Sequence, residues 1–286
     1  MATQKSSRSK KSKVTVPKRK VRTPVPSKYA LYEASVQSPD VHAAWLDETY
    51  KAITKGTARN IREDFCGTFK MSCEWVKRHA KNTALGLDLD PEPLNYGRET
   101  HLSALTPDQK SRVKLLQKNV LESTRTDVDL ISAGNFSFYI FKQRELLVKY
   151  FKSCKTSLKK GGLLVLELAG GPGMIAPMRE KKEVLLNRNE KFVYTWHQKS
   201  FDPITHDANY AIHFKLASGR VMLDQFVYDW RLWSIPEVRD ALADAGFSKS
   251  IIYWETAHQG KGTGEYLPME RGDNAFAWVS YVIGVK

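Results

Sequence analysis

The stretch Arg59-Asn60-Ile61-Arg62-Glu63-Asp64-Phe65-Cys66-Gly67-Thr68-Phe69 decides the fold. It reads as a strand, Arg59 to Asp64, that ends in two acids and a glycine turn. The helix that follows, from about Lys70 to His79, presents Met71, Trp75 and Val76 as one apolar stripe. Downstream the pattern repeats. Ala84 to Asp88 reads as a second strand, and Asp90-Pro91 opens a helix carrying Leu94, His101, Leu102 and Leu105. Val113 to Leu116 and Val128 to Ala133 read as strands three and four. Residues 143–158 place Leu147, Tyr150, Phe151, Cys154 and Leu158 on one helical stripe, which Lys160-Gly161-Gly162 ends. Leu163 to Leu168 is a continuous apolar fifth strand. Strands alternating with helices imply a doubly wound, mostly parallel α/β sheet covered on both faces. Its ligand crevice should lie beyond the carboxyl ends of the strands.

The flanks depart from this rhythm. Residues 29–56 read as a short aromatic segment followed by a helix that starts at Ser38-Pro39-Asp40, a helical cap on the sheet. Phe192 to Phe201, Tyr210 to Leu216 and Arg220 to Trp230 read as three strands, an antiparallel insertion over about residues 190–232 after strand five. Ser234-Ile235-Pro236-Glu237 is a helix start with a Ser cap, an early Pro and a Glu at the third helical position. Ile251 to Trp254 and Ala277 to Val285 read as the last two strands, separated by a Gly-rich loop at about 257–274. The expected total is seven strands in the main sheet. The expected division is a basic tail (1–28), the helical cap (29–56) and one domain (57–286).

Composition narrows the function classes. The 286 residues are 42% hydrophobic, enough for one substantial core. Forty-five basic residues against 31 acidic ones give a net charge of +14. Residues 1–28 hold ten Lys or Arg and no acid, so the remainder carries only +4. The tail, with Pro, Ser and Thr and no apolar period, reads as disordered. It would serve as an electrostatic arm for nucleic acid, as a targeting signal at Pro17-Lys18-Arg19-Lys20-Val21-Arg22 in a eukaryote, or only as a solubilising tail. Cys66, Cys73 and Cys154 form no CxxC pair and no cluster with histidine, so neither a disulfide framework nor a metal site is expected. No signal peptide and no stretch of about 20 apolar residues is visible, so the expected compartment is cytoplasmic, or nuclear in a eukaryote, with no membrane partner.

The glycine turn after strand one asks for a nucleotide-like ligand, yet the acids Glu63 and Asp64 oppose phosphate, and a dinucleotide G-x-G-x-x-G and a Walker A loop are both absent. A ligand with a cationic head and free ribose hydroxyls fits better, with Asp88 at the end of strand two as the acceptor for those hydroxyls. On these residues the sequence resembles the class I S-adenosylmethionine-dependent methyltransferases over about residues 55–286. Glu63-Asp64-Phe65-Cys66-Gly67-Thr68 is similar to their first motif, with one glycine where the family usually has three. Gly86-Leu87-Asp88-Leu89-Asp90-Pro91 is similar to the acidic second motif. Leu116 to Leu121 resembles the adenine-edge segment, with Asn119 where Asp is common, and Asp129 to Phe138 resembles the fourth motif. The resemblance implies S-adenosylmethionine as cofactor, held by Glu63, Phe65, Gly67, Asp88, Leu89, Asn119, Val120 and Asn135.

Methyl transfer is an in-line displacement that needs alignment and a water-poor aromatic site. The resemblance puts the substrate beside Asn135-Phe136-Ser137-Phe138, with Phe136 and Phe138 as wall and Tyr29 and Tyr32 folded over the site. Trp196 and Arg231 of the insertion are candidate substrate contacts, and His197 or His206 a candidate base. The fourth-motif segment lacks the N/D-P-P-Y/F of amino-methylating nucleic-acid enzymes, and no Pro-Cys nucleophile is present. The expected acceptor is therefore a small molecule. Two competing readings are a methyltransferase of nucleic acid or of a nucleic-acid-bound protein, using the tail, and a non-catalytic binding module on the same fold. Acceptor identity and oligomeric state are not legible.

Overall fold

The computed structural model describes residues 25–188, 190–258 and 261–286. The reading of the first 24 residues as a disordered basic arm lies outside the described residues. Ser27 and Lys28, assigned to that arm from sequence, belong to the folded body. The Ser27 hydroxyl accepts from the Tyr29 N–H at the start of helix α1 (Lys28–Val36), and Lys28 pairs with Glu92 at 2.9 Å. A second helix, α2 (Pro39–Thr54), follows with Pro39 and Asp40 in its first turn.

The main sheet is built from β1 (Asn60–Asp64), β2 (Thr83–Asp88), β3 (Val113–Gln117), β4 (Val128–Ala133) and β5 (Leu158–Gly170), joined by helices α3 (Lys70–Arg78), α4 (Pro91–Gly97), α5 (Pro107–Ser111) and α6 (Arg144–Ser157). These five strands run parallel in the order β5-β4-β1-β2-β3. Val128 to Ala133 is buried at every position, as expected of a central strand covered on both faces. The apolar clusters on the two faces hold Tyr150, Phe151 and Leu164 on one side and Leu46, Trp75 and Ile283 on the other.

The insertion is larger than the sequence implied. It is a separate four-stranded antiparallel sheet of β6 (Met178–Asn187), β7 (Glu190–Phe201), β8 (Asp207–Leu216) and β9 (Val221–Arg231), so it begins at Met178 rather than near 190. The missed strand, β6, is an edge strand with the charged run Arg179-Glu180-Lys181-Lys182-Glu183, a composition that guards an open edge and hides the strand from hydrophobic alternation. After helix α7 (Ile235–Asp244), whose Ser234/Glu237 capping box is present as expected, the chain returns to the main sheet with β10 (Lys249–His258), β11 (Lys261–Pro268) and β12 (Trp278–Val285). β12 is antiparallel to β5 and to β10. β11, within the segment expected to be a Gly-rich loop, adds an eighth strand at the edge, where the expectation was seven. Its glycines, Gly262 and Gly264, lower strand propensity, and the hairpin partner β10 supplies the pairing that overrides it. Likewise Lys159 to Gly162 lies in β5 rather than in a helix end, the helix stopping at Ser157.

Two features set the site. Helix α1 buries Leu31 completely against Val184, Phe192, Ile212 and Phe214, which fastens it beneath the inner face of the insertion sheet. At the carboxyl end of β1, the Arg62 guanidinium is fully buried behind Asp64, with Nε and Nη2 at 2.7 and 2.8 Å from the two carboxylate oxygens. Tyr150 donates its hydroxyl to the same carboxylate at 2.9 Å. A buried ion pair broken on one side leaves an uncompensated charge, so Arg62→Met should destabilise the fold by about 3–5 kcal/mol in urea unfolding. The double variant Arg62→Met/Asp64→Leu should recover most of that loss. A single variant as stable as the parent would show that the pair is not held as described.

Candidate active site

The carboxyl ends of β1, β2, β4 and β5 open into one cavity of about 1170 Å3, closed above by α1, the first turns of α2 and strand β9. Its first side is the turn after β1. Phe65, Gly67 and Phe69 all have left-handed backbone, with φ of 54°, 51° and 43°. Two of these three positions carry phenylalanine rather than glycine, a conformation that costs about 1–3 kcal/mol at each. The Phe65 ring packs on Phe141 and Tyr150, and Phe69 is fully buried, so burial offsets the strain. Gly97 of α4 is pressed against the same turn: a Cβ there would lie 2.3 Å from the Thr68 carbonyl oxygen. No residue but glycine fits that approach.

Electrostatics dominate the turn. The Asp88 carboxylate at the end of β2 accepts from the Gly67 N–H at 2.7 Å and from the Asp90 N–H at 2.9 Å. Glu63 accepts from the Ser72 N–H and hydroxyl at 2.9 and 2.5 Å. Burial, with Asp88 and Asp64 adding repulsion, pushes the Glu63 carboxyl up to about 7. Asp64 has Arg62 as its counter-ion, but among the described residues no ion pair reaches Glu63 or Asp88. The turn is therefore short of one positive charge, and Gly67 leaves open space above it.

The far side of the cavity is formed by β4, β5, β12 and α2. The Asn135 N–H donates to Glu167 at 2.5 Å, and burial raises the Glu167 pKa. Tyr281 lies 3.5 Å from both the other Glu167 oxygen and His42 Nδ1, and His42 Nε2 meets the Ser132 hydroxyl at 3.3 Å. Burial drives the His42 pKa down to about 4, so the ring is neutral at physiological pH. Asn135 and Phe136 also adopt left-handed backbone, φ 53° and 56°, which turns the chain sharply past the end of β4. The roof helix is clamped: Glu33 accepts from the Thr68 hydroxyl and from His101 Nε2, each at 2.7 Å, and lies 3.2 Å from Lys70. These partners hold its carboxyl below the usual range against the opposing effect of burial.

The structure thus brings Glu63, Phe65, Gly67, Asp88, Asn135, Tyr29 and Tyr32 to one cavity. Leu89, Asn119 and Val120 are not on its lining. Leu89 is exposed beyond β2, Asn119 folds its side-chain oxygen back onto the Leu121 N–H at 2.9 Å, and Val120 is buried in the core. Phe138 is fully buried in the core, whereas Phe136 and Trp196 line an adjoining chamber. Arg231 stacks on Trp233 at 3.8 Å and bonds to Glu237 and to the Lys142 carbonyl, tying the insertion to α7 instead of facing the cavity. Neither histidine proposed as a base reaches the cavity. His206 is exposed in the turn before β8. His197 points to the outer face of the insertion sheet, opposite to its neighbour Trp196, and pairs with His213 at 3.1 Å. His42, Glu167 and Tyr281 were not singled out from sequence. The available signal was the i, i+3 pair His42 and Trp45 on α2, which shares a face toward the sheet.

No protein-family model matches the sequence, and no curated protein matches it. Solved structures do match. CalS10, an amino pentose methyltransferase from Micromonospora echinaspora solved with S-adenosylmethionine bound, aligns with TM-score 0.66 and 16% identity over 93% of this chain and 99% of its own. The sugar N-methyltransferase KedS8 from Streptoalloteichus aligns with TM-score 0.64 and 18% identity over 96% and 99%. An S-adenosylmethionine-dependent methyltransferase from Clostridium acetobutylicum aligns with TM-score 0.62 and 15% identity over 88% and 94%. With its parallel sheet, its antiparallel β12 and its acidic turn after β1, the chain has the fold of the class I S-adenosylmethionine-dependent methyltransferases.

Proposed function

We propose that the protein is an S-adenosylmethionine-dependent methyltransferase acting on a small amine. The observation that carries this reading is a cavity lined by Glu63, Asp88, Asp90 and Glu167 in a chain whose net charge is +14. Its two lysines, Lys28 and Lys70, are already paired with Glu92 and Glu33. An acidic, aromatic-walled space in a basic protein selects cations and repels phosphate. That disfavours a nucleic-acid acceptor at the reacting centre, whatever residues 1–24 bind.

The residues fit the cofactor. The uncompensated charge at Glu63 and Asp88 and the open space above Gly67 suit a ligand that carries an ammonium group and ribose hydroxyls. Glu63 would face the cationic part and Asp88 the hydroxyls. S-adenosylmethionine, when bound, supplies an electrophilic methyl group on a sulfonium. The chain's part is to align, to exclude water and to manage one proton. Tyr29, Tyr32 and Phe226 close the roof, their rings 4.6–5.9 Å apart. An ammonium acceptor must lose a proton before its lone pair can react, and Glu167, with its pKa raised, is placed to receive it. Neutral His42, through the Tyr281 hydroxyl, holds that carboxylate's environment uncharged.

Calorimetric titration should give micromolar binding of S-adenosylmethionine and S-adenosylhomocysteine, lost in Asp88→Ala. Absence of binding by the intact chain would overturn the reading in favour of a binding module. The sign of the pH effect follows from Glu63. With no ligand its carboxyl keeps a proton to about pH 7 in the folded state and only to about 4.5 when unfolded, so its contribution to stability falls as pH rises through that window. A bound cation favours the ionised form. Cofactor binding near pH 7 should therefore release protons and tighten with rising pH, measured as the dependence of binding heat on buffer ionisation. Glu63→Gln should abolish that dependence. With a methylated amine in hand, Glu167→Gln should lower turnover by about 100-fold or more while leaving S-adenosylhomocysteine affinity unchanged. An unchanged turnover would remove Glu167 from the proton path.

A further inference from the structure

Beside the cofactor cavity lies a second chamber of about 420 Å3. The two spaces share Tyr32, Val36, Asn135, Tyr228 and Trp230 as a common wall. The roof of the chamber is the inner face of the insertion sheet. Register places Trp196 beside Ile212 and Tyr210 beside Tyr228, so every second residue of β7, β8 and β9 points inward. The rings are held by one another. Trp196 stacks on Tyr210 at 5.1 Å and 19°, and Tyr228 lies 4.3 Å from Trp230. Trp278, from the opposite wall, lies over Gly170, where a Cβ would stand 2.2 Å from the indole. The surface is therefore preorganised, and flat rings can stack on it without first ordering side chains.

Charge and width restrict what can enter. Glu180 and Glu255 line the chamber, and among the described residues Lys182 is its single cation and no arginine lines either space. Recognition of phosphate ordinarily uses arginine forks or clustered lysines, and neither is present. Tyr32 and Tyr228 line both spaces, where the chamber meets the cofactor cavity.

We infer that the chamber holds the non-reacting body of the methyl acceptor, and that this acceptor is a phosphate-free amine built on a flat ring, its nitrogen reaching the cofactor cavity past Tyr32 and Tyr228. The inference rests on the methyltransferase reading and narrows its substrate class. The aromatic wall supplies stacking and cation–π attraction, and the carboxylates exclude acidic ring compounds of the same shape.

Two probes with one ring and opposite charge test this: tryptamine and indole-3-propionic acid, titrated into the chain saturated with S-adenosylhomocysteine. Tryptamine should bind about tenfold or more tightly than the acid. Trp196→Ala should weaken tryptamine by about tenfold, the loss of roughly one aromatic stacking contact, with S-adenosylhomocysteine affinity unchanged, and Trp196→Phe should retain most of the affinity. Lys182→Glu, a substitution at an exposed position, should favour tryptamine further and weaken the acid. Equal binding of the two probes, no tryptamine binding at millimolar concentration, or indifference to both Trp196→Ala and Lys182→Glu overturns the inference. Failure of S-adenosylhomocysteine to bind the intact chain overturns the reading beneath it instead.

Discussion

Three carboxylates converge where β1 and β2 end, and among the described residues only one of them has a cation of its own. Asp64 is neutralised from behind by Arg62, deep in the core. Glu63 and Asp88 turn the other way, toward the cavity, and are held by hydrogen bonds from Ser72, Gly67 and Asp90. Hydrogen bonds from neutral donors orient a carboxylate but leave its charge in place. The rest of the site follows from that imbalance: the turn after β1 is drawn down onto Asp88, the cavity above it is negative, and a cationic ligand is the natural complement.

The insertion sheet completes the site from above. Helix α1 carries Tyr29 and Tyr32 on the face that looks into the cavity and Leu31 on the face that enters the insertion core. Glu33 on the next position fixes the helix to Thr68 and His101. One helix of nine residues thus couples the roof to the cofactor turn. The insertion in turn is joined to the body by Arg231, which reaches Glu237 and the Lys142 carbonyl, and by Tyr210, whose hydroxyl donates to the Met174 carbonyl at 2.7 Å. Among the described residues no helix is long and apolar enough to cross a membrane.

Strain collects at the same place. Phe65, Phe69, Asn135 and Phe136, all beyond the ends of β1 and β4, sit in left-handed backbone where glycine would be unstrained. The family resemblance was weakest here for that reason: the glycines that usually mark the turn are replaced by aromatic residues. The turn keeps its shape because the rings are buried against Phe141, Tyr150 and the core, and because Gly97 lets α4 approach.

Local pattern was enough for the parallel sheet, the helices that cover it and the acids at the ends of its first two strands. Apolar runs such as Leu163 to Leu168 and the caps at Pro39 and Ser234 act over a few residues and are written in the sequence. The charged edge strand β6 and the glycine-bearing strand β11 were not legible, because their stability comes from a partner strand and not from their own composition. The site divides along the same line. Glu63, Gly67 and Asp88 are close in sequence to the turn they serve, and their spacing reveals them. His42 and Tyr281 lie 239 positions apart and meet only when α2 folds over β12, while strand alternation sends His197 to the outer face. The sequence alone determined the sheet and the charge at its ends. The tertiary structure decided which distant side chains share the cavity, since that depends on which faces of separate elements are buried against each other.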